Sequence, residues 1–547
     1  MEFILSLLTL FYADLRDNFM DTFLLITQRI LRFLLFLVWC ALYPIIKLRS
    51  LRKPKFLPPI RRKVLLLPAV ELAKRIRRKE LTSEEVVGAY IERCKEVNPI
   101  LNAIVEARFE SAIHEAREVD KLLKATTKTE DELATEMPLL GVPITVKESI
   151  AVKGMSHSVG VKTIYPVKAD RDATVVTMVR KAGAIVLLVS NTPELCMCWE
   201  TYNNVTGITY NPYDTNRSSG GSSGGEAALL GSAGSVIGLA SDIAGSARLP
   251  ALFCGVYGHK PSPRLVSCEG HKPDGTDKDW TNFFTIGLMA RYAEDLPFTL
   301  SVISQSPEAN QILKRKVPMK NIKFYILDSS SLVARPLNRE TKWALQKLKS
   351  YIESTHQIRV QKADFSEMKF AFNIATCVLL GLQNVESICN TENRTRTWSS
   401  VLMELFKLIT CMSKHTLHVL AYDLLTLIVE KLPKKYKDRM HEKRSTLKKK
   451  FADLLGDNGV LIQPTFTSSA YYPFETFHNS GSFCYLMIYN ALGFPVTQCP
   501  MGLNAKGLPI GLQVVANPGC DHLTIAVAQE IERAFGGWRD PSNEKVV

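Results

Sequence analysis

A chain of 547 residues, 46% hydrophobic and 22% charged, has the composition of a folded protein with a sizeable core, which excludes a disordered chain. Its 12 scattered cysteines lack zinc or redox spacing and exclude a disulfide framework. The net charge of +14 is clustered: Lys47 to Lys79 holds 13 basic residues against one acid, Glu71, and a second cluster runs from Lys431 to Lys450, yet without any zinc-finger, RNA-binding or phosphate-loop motif, so nucleic acid is the weakest partner and an anionic surface or a solvated face fits better.

Residues 1–60 read as a membrane-anchor segment followed by a basic linker. Phe33 to Ile46 (FLLFLVWCALYPII) is almost wholly apolar, and shorter patches precede it at Phe3 to Tyr12 and Phe23 to Ile26. A spanning helix needs ~20 apolar residues, so this run predicts an N-terminal membrane helix only if Arg29 and Arg32 reach out to the interface. A re-entrant segment, an interfacial helix and a buried core helix are the alternatives. The run begins too far in, and lacks a small-residue cleavage site after it, for a signal peptide. The basic flank Lys47, Arg49, Arg52, Lys53 and Lys55 favours a cytosolic orientation for the rest of the chain, and Pro54, Pro58 and Pro59 mark the linker.

From residue 61 to 547 the pattern is that of one α/β unit. Thr82-x-x-Glu85 is a capping-box signal for a helix running towards Val97, and a second helical run covers Ala112 to Lys124. Short apolar runs at Gly141–Val146, Ala184–Val189 and Val236–Ala240 then alternate with helical stretches, which predicts a largely buried sheet. Residues 397–432 are nearly continuous in helix formers. They read either as a pair of core helices or as an amphipathic cap facing a membrane.

The chemistry concentrates between Ser218 and Pro250. Small residues crowd this stretch and permit close backbone approach. Ser223, with Glu226 three residues on, suggests a capping box. Asp242-Ile-Ala-Gly-Ser246 leaves the Val236–Ala240 strand in a tight loop, and Arg248-Leu-Pro opens the next helix. Gly221 to Gly225 also matches G-x-S-x-G, but the nucleophile elbow follows a strand directly, and a polar loop precedes it here. That reading also lacks a histidine in a recognisable context.

GGSSGGE followed by DIxGSxRxP, with GVPITVK (141–147) upstream and NALGFPVTQCPMG…GLPIGLQVVA (490–516) downstream, resembles the amidase signature family over roughly Leu66 to Trp538. Within it the likeness is to the membrane-bound fatty-acid amide hydrolases. The resemblance implies a central mixed β-sheet covered by helices on both faces, and hydrolysis of fatty-acid amides at a membrane through an acyl-enzyme. It assigns Ser246 as nucleophile, Ser222 as bridging serine and Lys147 as base. Backbone N–H groups of Ile243, Ala244, Gly245 and Ser246 form the oxyanion hole in this reading, with Ala244 standing where the family usually has glycine. Asp242 and Arg248 pair beneath the loop, and Ser223 supports it by hydrogen bonding. Cys196 either turns its carbonyl to the acyl site or simply packs.

The expected mechanism needs no metal or organic cofactor, and the resemblance leaves a homodimer open. A general small-acyl amidase or esterase, an amidotransferase subunit and a lipid-binding pseudoenzyme are the rival readings.

Overall fold

The computed structural model describes residues 22–542, apart from 24–25, 31, 35, 38, 42, 45, 49–50, 52 and 392–394. The sequence patch Phe3 to Tyr12 lies outside the described residues. Among the described residues thirteen strands occur, in chain order β1 Ile104–Ala107, β2 Pro143–Lys147, β3 Ile185–Ser190, β4 Tyr202–Asn203, β5 Gly207–Ile208, β6 Ile237–Asp242, β7 Tyr257–Lys260, β8 Thr285–Ala290, β9 Lys323–Ile326, β10 Gln361–Lys362, β11 Gly459–Pro464, β12 Val496–Leu503 and β13 Pro509–Val515. Apart from the β4–β5 hairpin they form one mixed sheet of eleven strands, ordered β1-β3-β2-β6-β8-β7-β12-β13-β11-β9-β10.

The apolar runs became the centre of this sheet because helices cover it. All residues of β2, β3 and β6 are buried, as expected for strands without a solvent face. The Phe109–Ala125 helix packs on β3, Arg339–His356 packs on β11 and β13, and Asp521–Phe535 packs on β12. A contiguous apolar core reaches from Leu57 to Ile531. The Ser83–Leu101 helix opens where its cap signal lies: Thr82 Oγ1 accepts from the Glu85 amide at 3.1 Å.

The order of the strands creates the site. β2 runs parallel to both β3 and β6, with Thr145 opposite Gly238 and Val146 opposite Leu239. Their carboxyl ends therefore emerge side by side. Lys147 closes β2, Ser190 closes β3, and Ser241 and Asp242 close β6. Crevices outside the carboxyl ends of parallel strands are where open α/β sheets bind ligands.

The expected N-terminal membrane helix is corrected: among the described residues no helix is long and apolar enough to cross a membrane. Described residues between 22 and 48 are helical, but they are interrupted by charge and tied to the body of the protein. Arg32 Nη1 donates to the Ala334 carbonyl at 3.0 Å, and Trp39 Nε1 donates to Glu475 at 3.2 Å. Phe23, Ile30 and Phe33 remain more than half exposed on this segment.

Residues 397–432 form two helices, Trp398–Ile409 and Leu417–Glu430. They meet through Val401, Leu427 and Cys389, while Ile409, Met412 and Phe406 are 81%, 72% and 61% exposed. Trp398–Ile409 turns most of its apolar residues outward, whereas Leu417–Glu430 buries Val419, Leu420, Leu427 and Val429 and exposes Leu417, Leu425 and Ile428.

Candidate active site

Lys147 is completely buried at the end of β2. Its Nζ lies 2.7 Å from Ser222 Oγ and 3.0 Å from Ser241 Oγ. Burial lowers its pKa below the usual lysine value of 10.5, because a desolvated ammonium loses its hydration; Cys196, Asp242 and Glu226 pull the other way. No carboxylate makes a direct ion pair with it among the described residues, so its environment favours the neutral amine, which alone can accept a proton.

Ser222 sits in the loop before the Gly224–Gly231 helix. Thr192 Oγ1 donates to its carbonyl at 3.1 Å. The Ser223 amide reaches across to the Ser246 carbonyl at 3.2 Å, which ties the two serine loops together. Ser223 itself departs from expectation. Its hydroxyl is buried with no hydrogen-bond partner among the described residues and does not cap the helix. The Gly224 amide is capped instead by Thr201 Oγ1 at 3.0 Å. Glu226, rather than reaching back to Ser223, turns inward and accepts from Thr145 Oγ1 at 2.5 Å. Burial raises its pKa to about 7. That carboxylate occupies the space a Cβ would take at position 238, which explains Gly238 in the middle of β6.

The Asp242–Ser246 loop is shaped by one buried pair. Asp242 and Arg248, both fully buried, form a two-pronged salt bridge with contacts of 3.0 Å. Burial alone would raise the Asp242 pKa, but the guanidinium holds it below the usual carboxylate value. Arg248 also donates to Gln513, Asn490 and the Leu486 carbonyl. Asp242 in turn accepts from the amides of Gly245 at 2.8 Å and Ala247 at 3.1 Å.

The Gly245 contact corrects the oxyanion assignment. That amide is already engaged, so it is not a free donor. Ile243, Ala244 and Ser246 have no amide acceptor among the described residues and remain available. Ala244 stands where the resemblance expects glycine. The residue at positive φ is Gly245, at +100°, and a Cβ there would lie 2.6 Å from Leu486 Cβ. Ala244 is not among the positive-φ residues, so alanine is accommodated. Its carbonyl accepts from Trp199 Nε1 at 2.9 Å.

Cys196 lies beside this cluster, its Sγ 3.3 Å from Thr192 Oγ1, with a left-handed backbone (φ +59°). It packs against a small group of Val159, Val161, Leu195 and Val419. Val419 belongs to the Leu417–Glu430 helix. The same helix start is clamped by buried Glu194, which accepts from His415 Nδ1 at 2.6 Å and the Thr416 amide at 2.7 Å. The amphipathic helix pair is thus fastened directly to the loop flanking Lys147.

Sequence reasoning missed Ser241, Thr192, Thr145 and His271. Ser241 had one legible signal, its place directly before Asp242. Thr145 lies inside the GVPITVK segment, two residues before Lys147, while Thr192 and His271 come from distant segments.

The Amidase family model matches residues 85–525. The chain is 40% identical over 499 residues to fatty-acid amide hydrolase 2-A of Danio rerio, covering 90% of this chain and 92% of that protein. It is 39% identical over 494 residues to fatty-acid amide hydrolase 2 of Homo sapiens, covering 88% and 92%. A solved fatty acid amide hydrolase structure superposes with a TM-score of 0.66 at 21% identity, covering 88% of this chain and 87% of that one, which supports the fold. This chain belongs to the amidase signature family of amide-bond hydrolases.

Proposed function

We propose that the protein hydrolyses fatty-acid amides at a membrane surface through a Ser246–Ser222–Lys147 triad. The observation that carries the reading is a fully buried lysine, unpaired with any carboxylate among the described residues, 2.7 Å from a serine hydroxyl on the loop tied to Ser246.

A serine hydroxyl is a weak nucleophile until a base takes its proton. In the proposed sequence Ser246 Oγ attacks the amide carbonyl carbon while its proton passes through Ser222 to Lys147. The carbonyl oxygen takes up negative charge and is held by the amides of Ile243, Ala244 and Ser246. The C–N bond then breaks as Ser222 delivers a proton to the nitrogen and regains one from Lys147. Amine leaves, and the acyl group stays on Ser246. Water attacks the ester, its proton following the same relay, and the fatty acid leaves.

The lipid part of the proposal rests on the relatives and on the outward-facing apolar residues of the 397–432 helix pair, beside the loop carrying Cys196. The helical segment before residue 48 adds exposed Phe23, Ile30 and Phe33. In place of a span, these faces lie in the interface, with the 47–55 basic flank drawn to the anionic cytosolic leaflet. Residues 61–547 form the catalytic part in this proposal.

The test compares oleamide with a two-carbon amide, alongside flotation on anionic phosphatidylserine vesicles. The expected result is a kcat/KM that rises with acyl length and protein that floats. Flotation drops in a Phe406→Asp, Ile409→Asp variant while turnover of the short amide persists. Preference for the short amide, with no flotation, supports the small-acyl amidase instead.

A further inference from the structure

We propose that His271 is a positioning residue: it fixes the direction of the Ser241 hydroxyl, and thereby leaves the Lys147 lone pair free for Ser222. The inference rests on the proposed role of Lys147 as base and extends it to a ring that no sequence motif marks.

The geometry is a four-member chain. His271 Nδ1 lies 3.0 Å from the Pro273 carbonyl, and His271 Nε2 lies 3.0 Å from Ser241 Oγ. Ser241 Oγ is 3.0 Å from Lys147 Nζ, which is 2.7 Å from Ser222 Oγ. A carbonyl only accepts, so Nδ1 must carry the ring proton and Nε2 must be bare. The Ser241 hydroxyl then donates to Nε2. With its proton committed there, its oxygen can only accept from Lys147 Nζ.

A neutral amine has two N–H groups and one lone pair. With one N–H spent on Ser241, the lone pair is left for the Ser222 hydroxyl. Without an acceptor at position 271, the Ser241 hydroxyl is free to rotate and donate into the same lone pair. It then competes with Ser222 for the base.

The ring is held to its task. Its segment pairs with the loop after β2: the Ala151 amide donates to the Gly270 carbonyl at 2.9 Å and the Lys272 amide to the Ser149 carbonyl at 2.8 Å. Phe284 packs on the ring at 4.6 Å between centroids. His271 is buried, and burial keeps it neutral, its pKa well below 6.5. Besides Lys147, the titratable group facing it is His157, while Asp242, Glu226 and Cys196 face Lys147.

The test measures kcat and KM for His271→Leu, His271→Gln, Ser241→Ala and the double variant Ser241→Ala, His271→Leu. Losing one orienting hydrogen bond to the base predicts a fall in kcat of roughly 10- to 100-fold for His271→Leu, with KM little changed. Glutamine, which can accept from Ser241, restores most of it. Adding His271→Leu to Ser241→Ala costs nothing further, because the ring acts through that serine. Wild-type kcat in His271→Leu, or a leucine penalty undiminished in the Ser241→Ala background, overturns the proposal. If His271→Leu does not fold, His271→Phe, which also cannot accept from Ser241, takes its place: wild-type kcat there, or a penalty undiminished in the Ser241→Ala background, overturns the proposal. A wild-type protein whose Ser246 takes no fluorophosphonate signals failure of the triad reading itself, which is distinct from either result.

Discussion

Lys147→Met lowers kcat by about 10²- to 10⁴-fold, the usual contribution of a general base. Methionine fills a similar volume, so the buried site at the end of β2 stays packed while the proton acceptor is gone. Stability moves the opposite way. Burial lowers the lysine pKa in the folded protein, whereas the unfolded chain keeps the ordinary value of 10.5. Between those two values the unfolded state binds the extra proton, so burying this lysine costs stability at neutral pH and the cost fades as pH rises to 10.5. Methionine removes that cost. Denaturant titrations therefore show the variant at least as stable as wild type at about pH 7, with the difference shrinking towards about pH 10. Wild-type turnover, for its part, rises with pH as Lys147 loses its proton, and this acid limb is absent from the residual activity of the variant. A variant that keeps wild-type kcat removes Lys147 from the mechanism.

Arg248→Met is expected to destabilise the fold by about 3–5 kcal/mol, because it strands a charge in the interior. Asp242 and Arg248 are both fully buried, so the carboxylate left behind lies away from solvent. The loss extends to the contacts with Gln513, Asn490 and the Leu486 carbonyl. Activity falls too, since Asp242 holds the Gly245 and Ala247 amides that shape the Ser246 loop. The pH dependence is specific. In wild type the Asp242 pKa is depressed, so its stabilising effect is present above the ordinary 3.8 and lost as pH falls through the folded value. In the variant, burial without the cation raises that pKa, and protonation relieves the penalty as pH falls. The gap in denaturation midpoint between the two proteins should narrow from about pH 7 towards about pH 4. A gap that is constant with pH would point to lost packing rather than a stranded carboxylate.

How far the sequence carried the structure differs between elements. β2, β3 and β6 were legible because strands buried on both faces appear as short apolar runs, each here preceded by a glycine, Gly141, Gly183 and Gly234. The Asp242–Arg248 pair was legible because both residues flank one short loop. The Ser223–Glu226 capping box does not form, because Glu226 lies against β2 and β6, where the Thr145 hydroxyl offers it a buried partner. Local spacing cannot register that competition. The engagement of the Gly245 amide is hidden for the same kind of reason: whether an amide points at a substrate or at Asp242 depends on the turn's backbone angles. The N-terminal run suggested a span by hydropathy, yet Arg32 and Trp39 bond to the catalytic body. His271 enters the site from a segment 124 positions after Lys147 in the chain, through tertiary pairing alone.

The most direct measurement is fluorophosphonate labelling of detergent-solubilised protein, with the modified residue located by peptide mass spectrometry. The account predicts a single adduct on Ser246, blocked by prior incubation with oleamide and absent from Ser246→Ala. An adduct on Ser222 or Ser223, or none at all on the wild-type protein, contradicts it.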